Sequence, residues 1–254
     1  MIDFTNKHSG LKYGYFELLD AIDGELVIPD ETGFDSLFKP SNKRRYWIRH
    51  DVDNHIHLAW AMAEAERDRG IKSVYFMLNT SPYFRLKPFI SIVKDFSKVG
   101  HTIGMHNNSV AAAYKGGNPN LADEILQRDL NYLRKASPIF ITASHGDIWN
   151  RQINVMNYEM FTECRRNGSF PHRPLSNYGL KYEAYFLPRD LYLSDSGGVW
   201  SIKRDINISL KPDEKAPGID PMMVIEKFNA MESGILQVLV HPEWWEPQQA
   251  KEAL

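Results

Sequence analysis

At 254 residues, 43% of them hydrophobic and 12% aromatic, the chain carries enough apolar material for one large core, and α/β barrels of this length fold as a single unit. The formal net charge of -2 gives no electrostatic case for binding nucleic acid or an anionic membrane. The one cysteine, Cys164, excludes an intramolecular disulfide framework and fits a reducing compartment. Nothing nears the ~18 continuous apolar residues of a membrane span, and the polar start "MIDFTNKHSG" is unlike a secretory leader. A soluble, cytoplasmic protein with one domain over 1–254 is expected.

The first strand signal is an aromatic and aliphatic run at 46–51. It leads into "RHDVDNH", Arg49 to His55, where Asp51 and Asp53 stand two residues apart beside His50, His55 and Arg49. Ile56, Ala59, Trp60 and Ala63 then keep the i, i+3, i+4, i+7 spacing of a helix seated on a sheet. Gly70 and a strand at 73–78 follow. Phe89, Ile92, Val93 and Phe96 repeat the helical stripe before Gly100 and a strand at 101–106. Further short apolar runs at 139–144, 183–186, 191–194 and 235–241 read as strands. "KPDEKAPGIDP" at 211–221 reads as a surface loop. Gly70, Gly100 and Gly234 each fall where a helix C′ residue takes a positive φ. The alternation predicts an α/β fold with a mainly parallel sheet, either barrel or doubly wound. No glycine-rich phosphate loop is present.

Parallel α/β folds collect chemistry at the carboxyl ends of their strands. Five predicted strands end in Asp or His: Asp51 and Asp53, His106, His145 and Asp147, Asp195, and His241. Three nitrogen or oxygen ligands with one open position describe a catalytic zinc-type site, and such an ion acidifies water and polarises a carbonyl. One carboxylate of the Asp51/Asp53 pair can ligate while its neighbour takes a proton; His241 is the natural acid for a leaving group. Plainer roles compete. His50 can orient Asp51 or cap its strand, and His55 and His57 can lie on a helix surface, with His55 a spare ligand. His101 can make a structural hydrogen bond, and Asp147 can cap a helix starting near Ile148. Cys164 has no metal-like partner near it in sequence.

The segments "HDVD", "GHTIGMHNNS", "ASHGD", "LSDSGGVW" and "VLVHPEWW" resemble, in order, the five motifs of NodB-homology polysaccharide deacetylases, carbohydrate esterase family four, over about residues 45–245. The nearest look is to the branch found in O-antigen and surface-polysaccharide clusters. The resemblance implies a distorted (β/α) barrel, usually seven-stranded, a divalent metal, commonly zinc, and removal of an N-acetyl group from an amino sugar, as a glycan or an activated sugar. It places the base at Asp51, metal ligands at Asp53 and His106, and the acid at His241. Asp195 would brace that acid, and Trp200 would line the sugar pocket. Trp244 and Trp245 would stack on a sugar ring or close the barrel mouth. Two departures stand out. Val110 occupies the position of the family's second metal histidine, and "SHGD" replaces the motif whose arginine orients the base. His145 is therefore expected as the replacement ligand, with Arg49 restraining a carboxylate. The alternatives are a catalytically silent carbohydrate-binding protein on the same fold and a hydrolase of another amide or formyl group.

Overall fold

The computed structural model describes residues 3–6, 13–164, 172–204 and 219–248. The chain begins with β1 (Asp3–Asn6), α1 (Tyr15–Asp20), β2 (Glu25–Leu26) and α2 (Glu31–Leu37), the last capped by Asp30, whose carboxylate accepts the Gly33 N–H at 2.7 Å. Strands and helices then alternate: β3 (Arg44–Val52), α3 (Ile56–Asp68), β4 (Val74–Leu78), α4 (Phe89–Lys98), β5 (Thr102–Asn107), α5 (Ser109–Lys115), α6 (Ala122–Leu133), β6 (Ile141–Ser144) and α7 (Ile148–Ile153). After them come β7 (Tyr182–Glu183), β8 (Leu191–Ser194), β9 (Ser201–Arg204), α8 (Pro221–Asn229), β10 (Gly234–Val240) and β11 (Trp245–Gln248).

Among the described residues the main sheet runs β7-β6-β5-β4-β3-β10-β8-β9. The seven strands from β7 to β8 pair in parallel, and β9 closes the far edge antiparallel to β8. β2 pairs with the start of β3, at Arg45 and Tyr46, before β4 takes over at Arg49. The sheet is the curled α/β layer that the deacetylase resemblance implies. A separate pair, β1 with β11, ties the two chain ends together.

Alternation along β3 sorts its side chains between two cores. Trp47 joins Val74, Phe76, Ile141, Ala143 and Ile235 in a cluster filling the bore of the curl, with Phe34 and Leu37 of α2 packed at the end where the strands begin. Ile48 and Val52 face the helix side, in the clusters built with α1, α3, α4, α6 and α8. The helical stripe expected on α3 holds: Ala59, Met62, Ala63 and Glu66 are buried, while Trp60 sits at its margin, edge-on to Phe96 at 5.2 Å.

Gly70 and Gly100 take the expected positive φ of 72° and 97°. Gly234 does not: it opens β10, and α8 ends earlier, at Asn229. A Cβ at position 234 would meet Met231 Cε at 2.7 Å, the movable end of a flexible side chain, so neither backbone conformation nor space singles out glycine there. The strand expected over 183–186 shrinks to β7 because the Glu183 carboxylate accepts the Tyr185 N–H and turns the chain into a 3₁₀ helix over Ala184–Phe186. Residues 205–218, most of the loop expected over 211–221, lie outside the described residues; Asp220 at its end caps α8, accepting the Met222 N–H at 2.9 Å.

Gly104 in β5 sets the fit of the bore. A Cβ there would come within 2.3 Å of two ring carbons of Phe76, itself fully buried. Gly104→Ala is therefore expected to destabilise by ~1–3 kcal/mol, the cost of overpacking a tight core, read as a lowered urea midpoint with an unchanged slope.

Candidate active site

The carboxyl ends of β3, β5 and β6 converge. Asp51 is on β3, Asp53 follows its last residue, His106 lies near the end of β5, and His145 follows β6. His106 Nε2 lies 3.3 Å from Asp51 Oδ2 and 3.3 Å from Asp53 Oδ1, and His145 Nε2 lies 3.6 Å from Asp53 Oδ2. One ligand atom from each of Asp53, His106 and His145 falls within 4.8 Å of the others. The two imidazoles meet edge to face, with centroids 5.0 Å apart. His106 Nδ1–H donates to the Ala143 carbonyl at 2.8 Å, which fixes the ring and leaves Nε2 facing the two carboxylates. Asp53 Oδ1 is buried yet accepts no well-formed hydrogen bond.

Arg49, two residues before Asp51 and so on the same face of β3, grips that carboxylate bidentately, with Nε and Nη2 each 2.7 Å from an oxygen. Burial pushes the Asp51 carboxyl up, but the charge and hydrogen bonds of Arg49 together with the His106 and His241 imidazoles outweigh it and hold the group below its usual value. For Asp53, burial is likewise overcome by the His106 and His145 imidazoles, which hold it well below the usual carboxylate range. Burial works against a charge on His145, and Asp53 reverses it, raising the imidazole.

A second pair stands on the opposite flank. His241, just past β10, donates from Nδ1 to Asp195 Oδ1 at 2.6 Å, and its backbone N–H meets both Asp195 oxygens at 3.0 Å. Trp245 Nε1 gives Asp195 a further donor at 2.9 Å. Burial opposes charge on His241, but the adjacent Asp195 carboxylate raises it to about 10, so the ring is charged at neutral pH.

Outside this group a cleft of about 560 Å³ opens past Asp53 and His145, walled by Thr80, Trp149, Glu243 and Trp244. Burial, then the neighbouring Asp53 charge, raise Glu243 to about 7.

The chain is similar to solved carbohydrate deacetylases and esterases. A carbohydrate esterase family 4 enzyme from Streptococcus mutans aligns at 10% identity over 85% of this chain and 80% of its own, with a TM-score of 0.46. A family 4 carbohydrate esterase from Streptomyces lividans, in complex with acetate, aligns at 11% identity over 78% of each chain, with a TM-score of 0.42. A polysaccharide deacetylase from Bacillus cereus aligns at 16% identity over 78% of each chain, with a TM-score of 0.37. No family model and no curated protein matches the sequence.

The geometry thus gathers Arg49, Asp51, Asp53, His106 and His145 in one place and pairs His241 with Asp195. It corrects the aromatic assignments. Trp200 and Trp245 are 1% and 0% exposed, packed edge to face 5.9 Å apart in the core beneath α1, so neither can stack on a sugar. Trp244 does face the cleft, joined by Trp149, which carried no motif to mark it. His50 points away from Asp51, to the helix side, where its Nε2 bonds Glu66 at 2.8 Å. His55 is exposed at the start of α3 with its ring edge-on to His57 at 5.6 Å, outside the cluster. His101 is structural, bonded through Nε2 to the Ala63 carbonyl at 2.9 Å. Asp147 caps α7, accepting the Trp149 N–H at 2.9 Å.

Proposed function

We propose that the protein is a divalent-metal-dependent hydrolase that removes the N-acetyl group from an amino sugar, cytoplasmic and serving surface-polysaccharide synthesis of the O-antigen kind that the motif resemblance implies. The observation that carries this reading is the Asp53, His106 and His145 donor set with a base candidate on one side and an acid candidate on the other. The donors fit a cation. His106 turns its Nε2, the nitrogen not anchored on Ala143, toward both carboxylates, and Asp53 Oδ1 is a buried oxygen still lacking a strong partner. Two imidazoles and a carboxylate are a ligand set suited to zinc. A cation held there acidifies water and polarises an acyl oxygen.

The chain's own groups supply the rest. Asp51, kept ionised by Arg49, takes a proton from the attacking water as its oxygen adds to the amide carbon. Asp195 holds the imidazolium of His241 through Nδ1, leaving Nε2–H as the donor to the departing nitrogen. The C–N bond then breaks to release a free amine and acetate. The walls of the cleft, with Trp149 and Trp244 among polar groups, suit the mixed apolar and hydroxyl faces of a sugar.

The test is acetate release from acetylated amino-sugar oligomers by the zinc-loaded protein. Asp51→Asn is expected to lower kcat by ~10²–10⁴-fold, the range for losing a general base, while zinc content stays stoichiometric. The silent binding protein rests on Val110, which is fully buried in the helix-side core and takes no part in the cluster. A metal-free protein that binds the oligomers without cleaving them would establish that alternative. Release of formate but not acetate from a paired substrate panel would establish the formamide hydrolase.

A further inference from the structure

The two clustered histidines are held differently. His106 has its Nδ1–H anchored on the Ala143 carbonyl. His145 has no such anchor: its Nδ1 is buried and makes no hydrogen bond among the described residues. Metal-ligating histidines almost always donate their second nitrogen to a neighbour that fixes the ring. For His145 the ring must instead be aimed by its backbone.

That backbone is clamped on both sides. The His145 N–H donates to the Asn107 carbonyl at 2.9 Å, extending the β5–β6 pairing by one step. The His145 carbonyl accepts from Asn157 Nδ2 at 2.8 Å. Asn157 is fully buried at the start of a 3₁₀ helix, Asn157–Met160. The same Nδ2 lies 3.0 Å from Asn108 Oδ1 and 2.8 Å from Asn150 Oδ1, both on segments bordering the site. Its Oδ1 accepts the N–H groups of Val110 and Ala111 at 3.0 and 3.3 Å, in the first turn of α5. One amide therefore joins the loop carrying His145, the start of α7 and the turn of α5 that holds Val110.

Resting on the metal-site reading, we infer that Asn157 is the positioning residue that makes His145 a ligand in place of the side chain absent at position 110. Its amide has two separable halves. The oxygen caps α5, and the nitrogen fixes His145. Asn157→Asp keeps the oxygen acceptor at nearly the same shape and removes the donor, so the cap survives while the clamp is lost.

The experiment measures zinc affinity by chelator competition on the full chain for four proteins: the parent, Asn157→Asp, His145→Ala and the double variant. Asn157→Asp is expected to weaken zinc by about 10- to 100-fold, the range for an outer-shell partner. His145→Ala is expected to weaken it further, and the double variant to bind no more weakly than His145→Ala alone. Cobalt(II) absorption should shift in Asn157→Asp as one nitrogen donor is lost. Unchanged zinc affinity in Asn157→Asp, or a loss of equal size with and without His145, overturns the inference, because a general structural role gives additive losses. Should Asn157→Asp show no cooperative unfolding transition, Asn157→Ser, which loses both halves of the amide, goes through the same double-variant comparison, where a zinc loss that disappears in the His145→Ala background still separates positioning from a general structural defect. A parent protein that takes up no zinc refutes the metal-site reading itself, a result distinct from either outcome for position 157.

Discussion

At the proposed cation site, His106→Ala is expected to take up no stoichiometric zinc where the parent does. The imidazole stands between the two carboxylates, 3.3 Å from each, and its Nε2 is the donor most fully prepared by a second bond. Losing it leaves one carboxylate and one imidazole, too few to hold a cation against water, and affinity should fall by more than the ~100-fold that an outer-shell change costs. Metal content after dialysis, alongside His145→Ala and Asp53→Asn, checks this. All three should lose zinc, while Asp195→Asn and His241→Ala should keep it, because that pair lies on the other flank and is built for a proton. Retention of full zinc by His106→Ala would mean that the cluster is an ordinary buried ion-pair network. The fold should survive every one of these changes, since the hydrophobic clusters on both sides of the sheet do not depend on these polar groups.

Much of the site can be read from the chain because parallel strands all end at one face. Once 46–51, 101–106, 139–144 and 235–241 are recognised as strands, the Asp and His residues at their ends must gather. What the pattern leaves open is direction beyond alternation. His50 and Asp51 are neighbours in sequence and point to opposite sides of β3, one to Glu66 and one to His106. An aromatic motif announces bulk without saying which way it points: Trp244 turns to the cleft while Trp245 turns to the core and reaches Asp195. Asn157 is harder still, because it lies in a short 3₁₀ helix with no periodic pattern, and its value comes from partners 7 to 49 residues away. Glu243 sits inside "HPEWW" and was hidden by the residues around it, although a carboxylate two residues after a strand-end histidine is itself a signal.

Glu66 gives the other large effect, on stability. It is the one acidic residue on the buried stripe of α3, and its side chain is wholly enclosed. Its carboxylate receives His50 Nε2 at 2.8 Å, Ser73 Oγ at 2.6 Å and Tyr75 Oη at 2.8 Å, and also the Tyr15 hydroxyl. Burial pushes the Glu66 carboxyl up, but His50 and the further donors overcome it and bring the group down to about 2 from the usual 4.5. Because the folded-state value is depressed, this contribution is complete above the unfolded value near 4.5 and is lost as pH falls toward 2. The difference corresponds to an order of 3 kcal/mol. Glu66→Leu removes the acceptor and strands buried donors from α1, β3 and β4, and should destabilise the protein by ~3–5 kcal/mol. Urea unfolding at neutral pH measures that loss, and unfolding between pH 5 and pH 2 should show the parent losing stability more steeply than Glu66→Leu. Parallel pH curves for the two proteins would exclude Glu66 as the group responsible. Zinc affinity per folded molecule should not change in Glu66→Leu, since Glu66 and the proposed cation site at Asp53, His106 and His145 lie on opposite sides of β3, and that separation distinguishes a stability defect from a damaged site.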